Sequence, residues 1–241
     1  MKIGLAVKEF RNNDLDFNLN QIIKTAEEYK TSKLDFLCFG EAFLQGFDAF
    51  KWNNDDFKVA VSKDSSFIEF LKSVARNNNI GLAFGYLEEY QSKLYSSYLI
   101  IDDNGEEILN YRRFSRGWKE SYANENIYQE GKVVGHFKYK GKNIVVGVCG
   151  DFWNDEYIEK TAKLEKDIIL WPVYVNYSLD DWHKEITDYA LQTTKFGERV
   201  LMVNSISHNP NSYGGCFDFY QGKIKAKLEF GQKDVLIIDI D

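Results

Sequence analysis

Residues 142–156 read KNIVVGVCGDFWNDE, and the fold turns on them. Ile144, Val145, Val146 and Val148 form a near-continuous run of β-branched residues, the pattern of a strand covered on both faces. The run ends in Cys149, Gly150 and Asp151, and DEYIEKTAKLEK (155–166) follows with the periodicity of an amphipathic helix. DIILWPVYV (167–175) is the next buried strand, and DDWHKEITDYALQTTKFGER (180–199) the next helix. Toward the N-terminus the same alternation recurs. KIGLAV (2–7), LDFLCFG (34–40), IGLAFGYLEEY (80–90) and KLYSSYLIIDD (93–103) read as strands, with helices over 17–31 and about 65–78. The Asn104-Gly105 pair predicts a hairpin into EILNYRR (107–113). The tail alternates short strands: VLMVNSI, GGCFDFY, KIKAKLEF and DVLIID. Apolar strands interleaved with amphipathic helices, with hairpins among them, indicate an α/β layered sandwich of mixed sheets. No solenoid repeat is present, and a single domain over 1–241 is the economical reading.

Bulk properties narrow the function. The 241 residues are 44% hydrophobic and 16% aromatic, ample for a large core. A net charge of -7 argues against a nucleic-acid surface, which needs clustered Lys and Arg. The N-terminal MKIGLAVKEF is too short in apolar residues for a secretory signal, and no stretch has the length of a membrane span. A soluble, cytoplasmic protein is expected. Three cysteines (Cys38, Cys149, Cys216) without CxxC spacing suit reduced thiols better than a disulfide framework or a metal site. His136, His183 and His208 have no ligand-like spacing either.

Three segments could carry chemistry. Cys149 at a strand-to-helix turn sits where backbone N–H groups favour a thiolate and an oxyanion, although a core cysteine beside a glycine turn has the same pattern. In FLCFGEAFLQGF (36–47), Glu41 follows an apolar strand among aromatic neighbours. Such desolvation would raise its pKa toward that of a general base; a turn cap or a partner for an Arg is the alternative. In ILNYRRFSRGWKE (108–120) a strand ends at Tyr111 in a cluster of cations, which could steady an oxyanion or simply form a solvated basic loop.

A Glu, a cation and a Cys, each just past an apolar strand and in that order, resemble the nitrilase (carbon–nitrogen hydrolase) superfamily. GEAFLQGF (40–47) is similar to its first motif, NYRRF (110–114) to its second, and VGVCGDFWNDE (146–156) to its third. Downstream, ILWPVYV with a helix and GERVLMVNS, then YGGCFDF with YQGKIKAKL, extend the likeness over nearly the whole chain. The resemblance implies a four-layer α–β–β–α sandwich and a homodimer or higher homo-oligomer. It also implies cleavage of a small amide, nitrile or N-carbamoyl compound, with no cofactor or metal. Carried onto this chain, Glu41 is the general base, Cys149 the nucleophile that forms a thioester, and Gly150 an oxyanion donor.

One position departs from the pattern. Where the family has Lys, this sequence has Arg113, whose charge is permanent and which cannot shuttle a proton. Arg113 does the electrostatic work, or Lys119 reaches the site instead, or the site is catalytically silent and serves binding. Glu125 best matches the family's second, assisting Glu, with Glu120 competing. Trp153 and Tyr174 are candidate pocket residues, or else packed core aromatics, and Cys216 is read as structural. Apolar residues on helix 180–199 (Trp182, Ile186, Tyr189, Ala190, Leu191, Phe196) exceed one stripe, so a partner or a second helix of the chain should cover them.

Overall fold

The computed structural model describes residues 1–240. The first five strands, β1 (Lys2–Ala6), β2 (Phe36–Cys38), β3 (Gly81–Tyr90), β4 (Lys93–Ile101) and β5 (Glu107–Arg112), lie side by side in chain order. Helices α1 (Leu15–Tyr29) and α2 (Ser66–Asn78) make the first two crossovers, so β1, β2 and β3 run parallel; hairpins then add β4 and β5 antiparallel. A second sheet begins with β6 (Gly135–Tyr139), β7 (Lys142–Val146), β8 (Ile168–Val173) and β9 (Arg199–Asn204). Its parallel crossovers are α3 (Asp155–Ala162) and α4 (Leu179–Thr193). A short ladder, β10 (Ile206–His208) with β11 (Asn211–Tyr213), precedes β12 (Cys216–Tyr220) and β13 (Lys223–Leu228), which complete the second sheet. Strand β14 (Val235–Asp239) returns to the first sheet, antiparallel to β1.

Local chemistry sets the helix starts. Asp14, Ser65, Asn154 and Ser178 each accept a backbone N–H of the first turn at 3.0–3.3 Å, satisfying a donor that has no partner within the helix. Alternation along each strand then sorts the layers. Ile3, Leu5, Phe36, Tyr98 and Ile100 of the first sheet share one core with Ile144, Val146, Leu170, Leu201 and Val203 of the second. On the other face of the first sheet, Leu37, Leu82, Phe84 and Ile101 pack with Ile22 and Ala26 of α1 and with Ile68 and Leu71 of α2. Trp171 of β8 points the other way, stacking on Tyr189 of α4 at 5.4 Å. The layers are therefore helices, sheet, sheet, helices. Cys216 donates from its buried thiol to the Leu5 carbonyl at 3.8 Å, a contact between the two sheets.

Strands β6 and β11 were not marked in the sequence, and one helix ends earlier than its sequence pattern suggests. The last helix stops at Thr193 and not near Arg199, because the amides of Phe196 and Gly197 both turn back onto the Thr193 carbonyl. Most of the apolar excess on that helix is covered by the chain itself: Trp182, Tyr189, Ala190 and Phe196 are buried, while Leu191 stays exposed. No helix among the described residues is long and apolar enough to cross a membrane. Leu201 pairs with Leu170 across parallel strands and is fully buried. Truncating it to Ala should cost about 3 kcal/mol, read from the midpoint of urea unfolding; a loss below about 1 kcal/mol would mean that the inter-sheet core is loosely packed.

Candidate active site

Loops leaving the C-terminal ends of β2, β5 and β7 bring Glu41, Arg113 and Cys149 together. Glu41 is 1% exposed and Arg113 4%. Arg113 Nη1 donates to Glu41 Oε1 at 2.7 Å, and Ser96 Oγ donates to the same oxygen at 3.4 Å. Arg113 Nε donates to Ser115 Oγ at 2.9 Å, which fixes the plane of the guanidinium. The second carboxylate oxygen, Glu41 Oε2, is buried and has no hydrogen-bond partner among the described residues. A carboxylate so placed has one oxygen committed to a cation and one free to take a proton.

Cys149 opens a one-turn 3-10 helix, Cys149–Trp153, three residues beyond β7. Its φ is +46°, a left-handed conformation that a non-glycine residue holds only when its surroundings enforce it. The enforcement is visible. Trp171 Nε1 donates to the Cys149 carbonyl at 2.9 Å, and the thiol lies 3.9 Å from the Tyr174 carbonyl. Asp151, fully buried, accepts from the Val148 amide at 2.8 Å, the Ser115 amide at 2.7 Å, the Phe114 amide at 3.0 Å and the Tyr111 hydroxyl at 2.6 Å. One carboxylate thereby ties the cation-bearing loop to the cysteine turn. Gly150 is required by close approach: a Cβ there would stand 2.5 Å from Arg113 Nη2.

The electrostatics follow from this packing. Burial pushes the Cys149 thiol up to about 12, and the Glu41 charge adds to the rise while Arg113 opposes it. The resting sulfur is thus a thiol at neutral pH. Burial works against the Arg113 charge, but Glu41, Cys149 and Asp151 around it outweigh that and hold the guanidinium charged. Asp151 is raised by burial above the usual carboxylate range, against the opposing pull of Arg113 and of the Tyr111 hydroxyl.

Cys149 opens onto a cavity of about 460 Å³ lined also by Trp153, Tyr174, Val175, Asn176, Tyr177, Glu185 and Tyr189. Trp153 and Tyr174, singled out from the sequence, are both on its wall. Lys119 is not placed on Glu41: its ammonium is held 2.5 Å from Glu130 Oε1 and 3.1 Å from the Tyr128 carbonyl. Arg113 is the cation that meets the carboxylate. Glu125 is exposed and pairs with Arg116 at 3.3 Å on the surface, and Glu120 is exposed as well. Neither is brought to the Glu41–Arg113 pair, because the loop between β5 and β6 turns their side chains outward. Sequence reasoning missed Ser96, Ser115 and the binding partners of Asp151, and it missed Glu185, Tyr177 and Tyr189 as cavity residues. An acid two residues after a cysteine, at the mouth of a buried strand, was the one available signal for the Asp151 clamp.

The carbon–nitrogen hydrolase family model matches residues 3–241. An aliphatic nitrilase from Rhodococcus rhodochrous is 30% identical over 49% of this chain, which spans only 33% of that protein. A deaminated glutathione amidase from Dictyostelium discoideum is 23% identical over 100% of this chain and 87% of its own length. In fold, an amidase from Nesterenkonia sp. AN1 matches with a TM-score of 0.83 at 16% identity, over 100% of this chain and 93% of that one.

Two outcomes test the site as built. Asp151→Asn would turn a donor amide toward groups that all donate and should cost about 3 kcal/mol in urea unfolding; a neutral substitution would remove Asp151 as the clamp. The rate of Cys149 alkylation by iodoacetamide, read by peptide mass spectrometry, should rise with pH toward an inflection at about 12. Since the Glu41 charge raises the thiol and Arg113 lowers it, Glu41→Gln should move that inflection down and Arg113→Met should move it up.

Proposed function

We propose that this chain, which belongs to the carbon–nitrogen hydrolase family, hydrolyses a small carboxamide through a thioester on Cys149, with Glu41 as general base. Family membership supports hydrolysis of a C–N bond in general. The observation that carries the finer reading is the buried, unpartnered Oε2 of Glu41 beside a thiol that rests protonated.

The steps balance on these groups. Glu41 takes the thiol proton as the sulfur bonds to the amide carbon, and charge develops on the carbonyl oxygen. Arg113, packed against Gly150, and the Gly150 amide stand ready for that oxyanion. Protonated Glu41 then gives its proton to the leaving nitrogen, the C–N bond breaks, and ammonia or an amine departs. Glu41 next deprotonates water, which adds to the thioester carbon; the C–S bond breaks and the thiol recovers its proton. Because a guanidinium keeps its proton at any ordinary pH, all proton traffic runs between Glu41, Cys149, substrate and water. Arg113 supplies charge and position. Nitrilases and amidases both stand among the similar proteins; the Dictyostelium amidase, matched over 87% of its length against 33% for the Rhodococcus nitrilase, supports a carboxamide.

A second reading, a silent binding protein, is favoured by Arg113 alone. Ammonia release from a panel of small amides, nitriles and N-carbamoyl amines separates the two. Wild type should release ammonia from amides, Cys149→Ala should release none, and Glu41→Gln should lose about 10²–10⁴ in kcat. Turnover that survives Cys149→Ala excludes the thioester route, and no release from any compound leaves the binding reading.

A further inference from the structure

The cavity beside Cys149 has an uneven chemistry. Trp153, Tyr177 and Tyr189 give it aromatic walls, and Tyr174 borders it with its ring stacked on Phe47 and its hydroxyl on Asp48. Glu185 gives it a carboxylate, and its lining includes no Lys, Arg or His. Glu185 and Tyr189 lie four residues apart on α4, on one face of the helix, so both side chains reach the same space. Glu185 is half-buried and makes no hydrogen bond or ion pair among the described residues, although Lys184 is its neighbour: Lys184 instead faces Asp181 at 3.8 Å. The rings are held in place. Tyr189 meets Trp153 edge-on at 5.2 Å and stacks on Trp171 at 5.4 Å, while Tyr177 meets Trp182 at 5.2 Å. Cys149, Tyr189 and Glu185 line this one cavity together, so the ring stands close to both the sulfur and the acid.

Ring faces carry negative quadrupole charge and attract cations, most strongly where water is displaced. A lone carboxylate adds to that field, and no positive group in the lining cancels it. The same wall repels an anionic substituent.

We infer that the cavity selects amides bearing a cationic group, an amine or a guanidine, at the end remote from the scissile bond, with Glu185 as the specificity-determining residue. The inference rests on the hydrolase reading given above. The bond broken and the atoms moved are those already described; the cation stays unreacted against Glu185 and the rings.

Three amides that share one trimethylene spacer provide the test: γ-aminobutyramide (cationic), valeramide (neutral) and glutaramate (anionic). In wild type, kcat/KM should fall in that order, with about tenfold between cationic and neutral, the gain expected of a carboxylate reinforced by cation–π contacts. Glu185→Gln should lower the cationic-to-neutral ratio by about the same factor, and Glu185→Lys should invert the order toward glutaramate. A ratio at or below one in wild type, or a ratio unmoved by Glu185→Gln, overturns the inference. Failure to hydrolyse any of the three would instead overturn the hydrolase reading for this amide class. The cavity is then decided by calorimetric titration of butylammonium and of butyrate into Cys149→Ser: preference for butylammonium, lost in the Cys149→Ser, Glu185→Gln double variant, supports the cation site, and equal or absent binding refutes it.

Discussion

A guanidinium and a carboxylate buried against each other, Arg113 and Glu41, constrain everything around them. Taking two ions out of water costs several kcal/mol each, and mutual attraction offsets this only when the remaining donors and acceptors are also met. Here Ser115 meets Nε and Ser96 reinforces Oε1, leaving one carboxylate oxygen open. Two strand ends, the neighbouring β4 and a glycine turn must agree in position to within a fraction of an ångström for this to hold. Gly150 is the clearest sign of that agreement, since the guanidinium occupies the space where any other residue would place its first side-chain carbon.

The second carboxylate, Asp151, explains how the pair stays registered with the sulfur. It gathers amides from the cation loop and from the cysteine turn onto the same two oxygens. The strained backbone of Cys149 is supported by this and by the Trp171 contact, while Ala42, next to Glu41 at φ +49°, has its carbonyl held by the Gly46 amide at 2.7 Å. The far wall of the cavity has its own brace: Asn204 accepts from the Val175 amide at 3.1 Å and donates to the Val175 carbonyl at 2.8 Å. A site held in this way is preorganised, so little rearrangement would precede the chemistry.

The buried strands were legible because parallel strands write themselves as runs of Val, Ile and Leu, as at Ile144–Val146 and Ile168–Leu170, whereas β6, with its exposed His136 and Lys138, and the three-residue β11 went unread. Glu41, Arg113 and Cys149 were legible because each sits within three residues of the end of a strand. What lies on loops was not. Spacing suggested Glu125, yet a loop residue's direction is set by contacts, and Arg116 holds it at the surface. Lys119 against Arg113 was undecidable from sequence, since only the Glu130 and Tyr128 contacts show that the lysine is committed elsewhere. Glu185 escaped notice for a related reason: on a helix rich in exposed acids, one carboxylate facing a cavity looks like any other.

The protonated resting state of Cys149 also bears on its oxidation. Peroxides attack thiolates far faster than thiols, and the step to sulfenic acid is the entry to irreversible damage. Many reactive cysteines are activated by a permanently low pKa and are therefore exposed to oxidants while idle. Here burial and the neighbouring acid keep the proton on sulfur. In the proposed reaction Glu41 takes that proton only as the sulfur bonds to the substrate carbon, so the idle sulfur would be a poor target for peroxide.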